Sequence, residues 1–366
     1  MKNTFGNSLT VTIFGESHGS SVGAVLDGIA PGIELDEDYI TSKMRRRAAR
    51  GAESTSRQEA DKVIFLSGVY NGKTTGTPLT LIIENKLQRS SDYDKEFIAR
   101  PSHADYTGHI KYHGYEDRRG GGHFSGRITA ALVAAGAVVS YALLKKGISI
   151  GTHIKSIHGA TDRDFDDYLS DIEKLNERDF PVLSDDVERE MKEQISIAKA
   201  AGDSVGGILE SAIVGIPSGV GEPFFDTCES MIAHILFAVP AIKGVEFGRG
   251  FDIAALYGSE ANDAMHISYK NGKPTVVADT NNSGGIQGGI TSGMPITVRC
   301  AVKPTPSISK EQNSINPDLM EDRTLTVGGR HDPCIVHRAA AVVDAALALS
   351  VADLLTVRYG TDYLMY

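Results

Sequence analysis

The chain has 366 residues, of which 41% are hydrophobic and 23% charged, with 39 glycines and a formal net charge of −10. That length suits two domains or one large one and a core that needs no disulfide or metal; the composition excludes a disordered or collagen-like chain and a disulfide scaffold, and the acidic balance argues against a nucleic-acid ligand. Cys228, Cys300 and Cys334 are an odd count at wide spacing with no CxxC pair, which fits a reducing compartment and speaks against a thiolate zinc site.

In chain order, the opening MKNTFGNSLTVTIFGESHG has no apolar run of signal-peptide length after Lys2, so a cytoplasmic protein is expected. The strand Leu9–Phe14 runs into GESHG (15–19), which puts His18 in a strand-end loop where an imidazole can exchange a proton near neutral pH. The register of a GxSxG nucleophile elbow is not met, because Ser17 is followed directly by His18. A helix over 36–47 ends in Arg45, Arg46 and Arg47, with Arg50 and Arg57 beyond it. GVYNGKTTGTPLT (68–80) reads as a glycine-rich hairpin entering a strand.

ARPSHADYTGHIKYHG (99–114) carries Arg100, His103, His109 and His113; spacings of six and four match no standard zinc motif, and no metal is expected. In RRGGGHFSGR (118–127), three glycines let the backbone approach a ligand, and Ser125 can cap the helix that follows, with Arg127 in its first turn. The same run also suits a plain tight turn into a helix. The alanine-rich stretch Ile128–Leu144 is shorter than the ~20 residues of a membrane span and reads as a buried core helix.

From Asp162 to Glu193 there are 13 acids and 5 bases, so this stretch holds −8 of the net charge; it reads as solvated helix. A helix over 226–238 precedes GIQGGITSGMPIT (285–297), and KPTPSI (303–308) is either a ligand-facing loop or a strand exit. In GGRHDPCIVHR (328–338), Asp332 before Pro333 signals a helix start, with Arg330 beside it; a second apolar helix follows over 339–357.

Three collinear matches suggest an internal duplication. Residues 68–80 and 285–297 share six of thirteen positions, 15–33 resembles 202–220, and 127–147 resembles 338–360. The junction is expected near residue 195, giving pseudo-repeats of about 1–195 and 196–366 within a single domain. Both alanine-rich helices are apolar nearly all round, so they belong inside. The expected fold class is α+β: duplicated halves with buried alanine-rich helices sandwiched between antiparallel β-sheets. Clustered arginines with few acids between them suit a small polyanion, since guanidinium forks match phosphate and carboxylate.

The segments GESHG, RRR, RPSHADYTG, RGGGHFSGR, AIKGVEFG (241–248), GGIQGGITSGMP and GRHDPC, in this order from residue 15 to 334, closely resemble the chorismate synthase family. Ser102 stands where the family's RPGHAD has glycine, and His123 and Phe124 replace arginine and serine of its RSSARET. The resemblance implies a 1,4-anti elimination of phosphate from 5-enolpyruvylshikimate 3-phosphate to give chorismate, the last step of the shikimate pathway, by a cytoplasmic homotetramer. It implies a requirement for reduced FMN, with NADPH a candidate source of reductant, and no nucleic-acid or membrane partner.

By the same resemblance the catalytic residues are His18, which assists the leaving phosphate, His103, close to the flavin, and Asp332, which assists loss of the ring proton to flavin N5. The flavin would lie along His123, Phe124, Ser125, Pro240, Ala241, Gly288, Lys303, Pro304, Thr305, Pro306, Ser307 and Arg330. Arg46, Arg47, Arg100, Arg127 and Arg330 are the candidates for the substrate's phosphate and carboxylates. An FMN-dependent oxidoreductase acting on an anionic metabolite is the alternative, and a non-enzymatic anion- or flavin-binding protein a third reading.

Overall fold

The computed structural model describes residues 2–48, 61–86, 96–270, 272–328 and 331–365. Arg50, Arg57 and Arg330 lie outside the described residues. The first half of the chain holds β1 (Thr4–Phe5), β2 (Thr10–Gly15), β3 (Ser21–Asp27), α1 (Glu37–Arg47), β4 (Ile64–Ser67), the small hairpin β5 (Val69–Tyr70) and β6 (Lys73–Thr74), β7 (Leu79–Glu84), α2 (Asp105–Tyr112) and α3 (Thr129–Lys145). The second holds β8 (Ser149–Ile157), β9 (Ala160–Thr161), α4 (Tyr168–Glu177), α5 (Asp185–Ala200), β10 (Gly207–Val214), α6 (Cys228–Ala238), β11 (Ile242–Phe247) and α7 (Gly258–Ala261). It continues through the hairpins β12 (Met265–Lys270)–β13 (Lys273–Ala278) and β14 (Ile286–Gln287)–β15 (Ile290–Thr291), then β16 (Ile296–Val302), the hairpin β17 (Glu311–Asn316)–β18 (Glu321–Thr326) and α8 (Val336–Tyr359).

Two antiparallel five-stranded sheets form the outer layers, in the orders β1-β2-β3-β7-β4 and β11-β16-β10-β8-β9. Their strands alternate as half-buried antiparallel strands do: Leu79, Leu81 and Ile83 of β7, and Ile296, Val298, Cys300 and Val302 of β16, are buried, with more exposed residues between them. Between the sheets lie α3 and α8, packed on each other, α3 against β3 and β7 and α8 against β8 and β10. Neither helix has a polar stripe, so each must be covered on all sides. Taken with the turn before it (Gly126–Lys145), α3 is long and apolar enough to cross a membrane, as is α8, yet 72% and 94% of their apolar windows are buried inside this protein. Gly136 lets them close: a Cβ there would stand 2.5 Å from Ala345 Cβ and 2.6 Å from its Cα.

The strand β8 pairs along its whole length with β10, so it belongs to the second sheet. The chain therefore crosses between sheets at Gly147, just after α3, whereas residue 195, the expected junction, falls inside α5. The order β2-β3-β7-β4 then corresponds to β8-β10-β16-β11, with α1 and α6, the two small hairpins, and α3 and α8 in matching places. Helices α4 and α5, which carry most of the acidic stretch, are an addition between β9 and β10.

Candidate active site: an arginine-lined cleft

A cleft of about 990 Å³ opens where the end of β2, the C-terminal end of α1, the loop before α3 and the loop before α8 meet. His18 lines it from the loop after β2 and is 8% exposed. The loop 119–124 folds over it. Gly120 sits at φ 60°, and a Cβ there would fall 2.4 Å from His18 Cε1, so the glycine is required both by conformation and by contact. Ser17 N–H donates to the Gly122 carbonyl (3.1 Å), tying the two loops together. Ser125 closes the run as a cap, its Oγ accepting from Arg127 N–H (3.2 Å).

Arg47 and Arg127 face the cleft and share one carboxylate, that of Asp61. Arg47 Nη1 lies 2.9 Å from Asp61 Oδ2, and Arg127 Nη1 donates to Asp61 Oδ1. Arg100 also lines the cleft and is held by Asp105 through Nε (2.7 Å) and Nη2 (2.8 Å); these bonds hold the Asp105 carboxyl below its usual range against the effect of burial. Arg118 stacks over Phe97 at 4.4 Å.

Asp332 lines the same cleft, its Oδ2 accepting from Arg338 Nη1 at 2.7 Å. The expected helix start at Pro333 is not the one found: α8 begins at Val336 after Ile335, whose side chain has no acceptor to cap with, and the Pro333 carbonyl accepts from Val205 N–H (2.9 Å) outside the helix. Arg338 Nε also donates to the Arg47 carbonyl (3.0 Å), which links this wall to α1.

His103 stands behind Ser307, which lines the cleft; its Nε2 is 2.9 Å from Ser307 Oγ and its Nδ1 3.1 Å from the Pro101 carbonyl. Burial, and then the Arg100 guanidinium, hold its pKa below the ordinary histidine value. A neutral ring facing a carbonyl must carry its proton on Nδ1, so the Ser307 hydroxyl donates to Nε2. Pro240 lines the cleft, and Ala241 after it is held at φ 77°, a region that favours glycine, by Lys303 N–H donating to its carbonyl (2.9 Å).

Other expected site residues lie away from the lining. Arg46 points into the interior, 3.0 Å from Asp344 Oδ2 and 3.0 Å from Asn176 Oδ1. The Asn176 Oδ1 atom also accepts from Lys43, whose pKa burial lowers to about 8. His123 Nδ1 bonds the Gly15 carbonyl (2.8 Å), and Phe124 packs on Tyr112 and Gly108. Gly288 turns the β14–β15 hairpin at φ 62°. Lys303 Nζ donates to the Ser102 carbonyl (2.6 Å), and Pro304, Thr305 and Pro306 lead from it to Ser307, with the Thr305 carbonyl accepting from Ser204 Oγ (2.6 Å). Sequence reasoning missed Asp61, Asp105 and Arg338 as site residues. The only signal for them is charge: an arginine-rich cleft needs internal counter-charges.

A family model of chorismate synthase matches residues 9–356. The chain belongs to the chorismate synthase family. It is 44% identical over 350 residues to the chorismate synthase of Thermococcus kodakarensis, covering 95% of this chain and 96% of that one. It is 44% identical over 362 residues to that of Chitinophaga pinensis, covering 98% of each. A crystal structure of chorismate synthase superposes with a TM-score of 0.74 at 32% identity, covering 97% of this chain and 94% of the other. The protein is accordingly a chorismate synthase of α+β fold, a carbon–oxygen lyase acting on a phosphate ester in aromatic amino acid biosynthesis.

Proposed function

We propose that this cleft performs the 1,4-anti elimination of phosphate from 5-enolpyruvylshikimate 3-phosphate, with reduced FMN bound beside the substrate. The observation that carries the reading is the convergence of His18, Arg47, Arg100, Arg127 and Asp332 on one cleft from five separate parts of the chain. The size and chemistry of the cleft suit two ligands. Its volume reaches the upper end of the ~300–1,000 Å³ range of small-molecule sites. Val239, Pro240, Ile335, Ala339 and Val342 add apolar lining for a planar ring to a cleft otherwise rich in guanidiniums. Ser125, Pro240 and Ser307 would hold the flavin; when bound, reduced FMN supplies an electron-rich ring with a basic nitrogen at N5.

The protein's own groups then divide the work. Arg47, Arg100 and Arg127 bind the phosphate and carboxylates as forked donors. His18 gives a proton or positive charge to the departing phosphate. Asp332, oriented by Arg338, is placed to assist removal of the ring proton. His103 is a neutral ring that fixes the Ser307 hydroxyl, and so reaches the flavin pocket through that side chain. The enzyme is proposed to be a cytoplasmic homotetramer, with NADPH as the ultimate reductant.

The test is phosphate release from the shikimate ester under anaerobic conditions with chemically reduced FMN. Catalytic flavin with no net consumption of reductant is expected; reductant consumed in step with product would mark an oxidoreductase, and flavin binding without phosphate release a mere binding protein.

A further inference from the structure

An acid at the centre of a site for a polyanion opposes binding by simple Coulomb attraction, so Asp61 calls for its own explanation. Its side chain is 5% exposed, and its two oxygens meet Nη1 of Arg47 and Nη1 of Arg127. Each guanidinium is anchored elsewhere as well. Arg47 donates through Nε to Thr129 Oγ1 (3.0 Å) and through Nη2 to the Gly126 carbonyl (3.0 Å). Arg127 donates through Nε to Asn85 Oδ1 (2.9 Å) and through Nη2 to the Glu84 carbonyl (3.2 Å). Those anchors come from different elements, and Asp61 is the contact the two arginines share. Without a carboxylate between them, two guanidiniums this close would repel and spread apart.

We propose that Asp61 is a positioning residue for the elimination: it fixes the separation and tilt of Arg47 and Arg127, and its charge weakens the pull of the site on small anions that need no such geometry. This rests on the reading that both arginines hold the substrate. Asp61 would thus favour the correct polyanion over inorganic phosphate, the product, by geometry and not by net charge.

The experiment compares wild type, Asp61→Asn and Asp61→Glu in anaerobic turnover with chemically reduced FMN, reading kcat/KM from phosphate release and the inhibition constant of added inorganic phosphate. For Asp61→Asn, kcat/KM is expected to fall about 10- to 100-fold, the loss typical of displaced binding groups, while inhibition by phosphate holds or strengthens. A purely structural role would weaken both together, and that parallel loss overturns the inference, as does kcat/KM within twofold of wild type.

Asp61→Glu keeps the charge but moves it by one methylene, and it decides the matter if the asparagine variant fails to fold. A fall in kcat/KM of about 3- to 30-fold with phosphate inhibition unchanged is expected, and wild-type kcat/KM overturns the proposal. A wild type that releases no phosphate removes the reading of the cleft and this inference with it, whereas an active wild type with parallel losses removes the inference alone.

Discussion

Asp332 precedes a proline in a helix-start pattern, yet α8 starts later, at Val336, and the Asp332 carboxylate accepts from Arg338. Asp332→Asn therefore tests chemistry with little confusion from stability: the ion pair is partly exposed, at 15% and 21%, and its loss costs about 1 kcal/mol. Turnover with pre-reduced FMN is expected to fall about 10²- to 10⁴-fold, the usual contribution of a general acid–base group, while thermal melting shifts by only a few degrees. A variant keeping a third of wild-type turnover would take Asp332 out of the mechanism. A second residue sets a pH limit. His337 is buried and stacked on Phe180, and burial, with smaller contributions from Arg338 and Lys192, lowers its pKa to about 3. From pH 6.5 down to that value the unfolded chain binds a proton at this residue that the folded chain refuses, so stability falls as pH falls. Between pH 6.5 and 4.5 this amounts to roughly 2 to 3 kcal/mol. His337→Gln is expected to flatten that part of the curve in denaturant titrations at a series of pH values. A slope equal to wild type would show that other groups set it. His153, whose pKa Asp162 and Glu210 raise despite its burial, acts in the other direction and affects the alkaline side.

At the scale of elements, the two inner helices were the most legible feature of the sequence. Their alanine-rich runs lack any polar stripe, and no amphipathic surface helix looks like that; the structure gives 129–145 and 336–359 against the expected 128–144 and 339–357. Glycine-rich hairpins were equally plain, because positive φ demands glycine at Gly68, Gly72 and Gly76. What could not be read is pairing between charges distant in sequence. Asp61 meets Arg127 across 66 residues, Asp344 meets Arg46 across 298, and no local pattern marks either acid. The change from one sheet to the other is hidden for a related reason: β8 follows α3 after only a short turn, and nothing local assigns it to the sheet it joins. The contact between α3 and α8 gives a direct test. Gly136→Ala should raise helix propensity by up to ~1 kcal/mol, but the added methyl meets Ala345 Cβ, Cα and O at 2.5, 2.6 and 2.7 Å. Net destabilisation of about 1 to 3 kcal/mol is expected in urea unfolding. Adding Ala345→Gly should not restore it, since two of those three atoms are backbone. A full rescue would mean that the helices separate more easily than this packing implies.

For the whole molecule, the matching order of strands and helices leads us to propose that the chain arose by duplication of one unit, with Gly147 at the junction and α4–α5 added later to the second copy. In such an arrangement each sheet covers one side of the helix pair, so the two copies have a common core and cannot be stable apart. What closes this core at its open end is Asp353, near the last turns of α8. Fully buried, its carboxylate accepts from the backbone N–H groups of Asn7 (3.0 Å), Ser8 (2.8 Å) and Leu9 (3.0 Å) in the turn between β1 and β2. The final helix thus holds the first hairpin of the chain, and its far end, at Val336, sits beside the cleft. Replacing the carboxylate by Asp353→Ala leaves the buried Leu9 N–H and the part-buried N–H groups of Asn7 and Ser8 without their charged acceptor, at about 1 to 3 kcal/mol for a buried donor left unsatisfied. Because the turn can open to water, a loss of about 3 to 5 kcal/mol is expected. The loss should be local first: amide exchange in residues 4–15 should speed up well before that in α3, while phosphate release by the remaining folded protein stays within severalfold of wild type. His18 follows β2 directly, so if exchange in β2 and turnover collapse together, the β1–β2 turn would be part of what positions the histidine and not just a tie between the two ends of the chain.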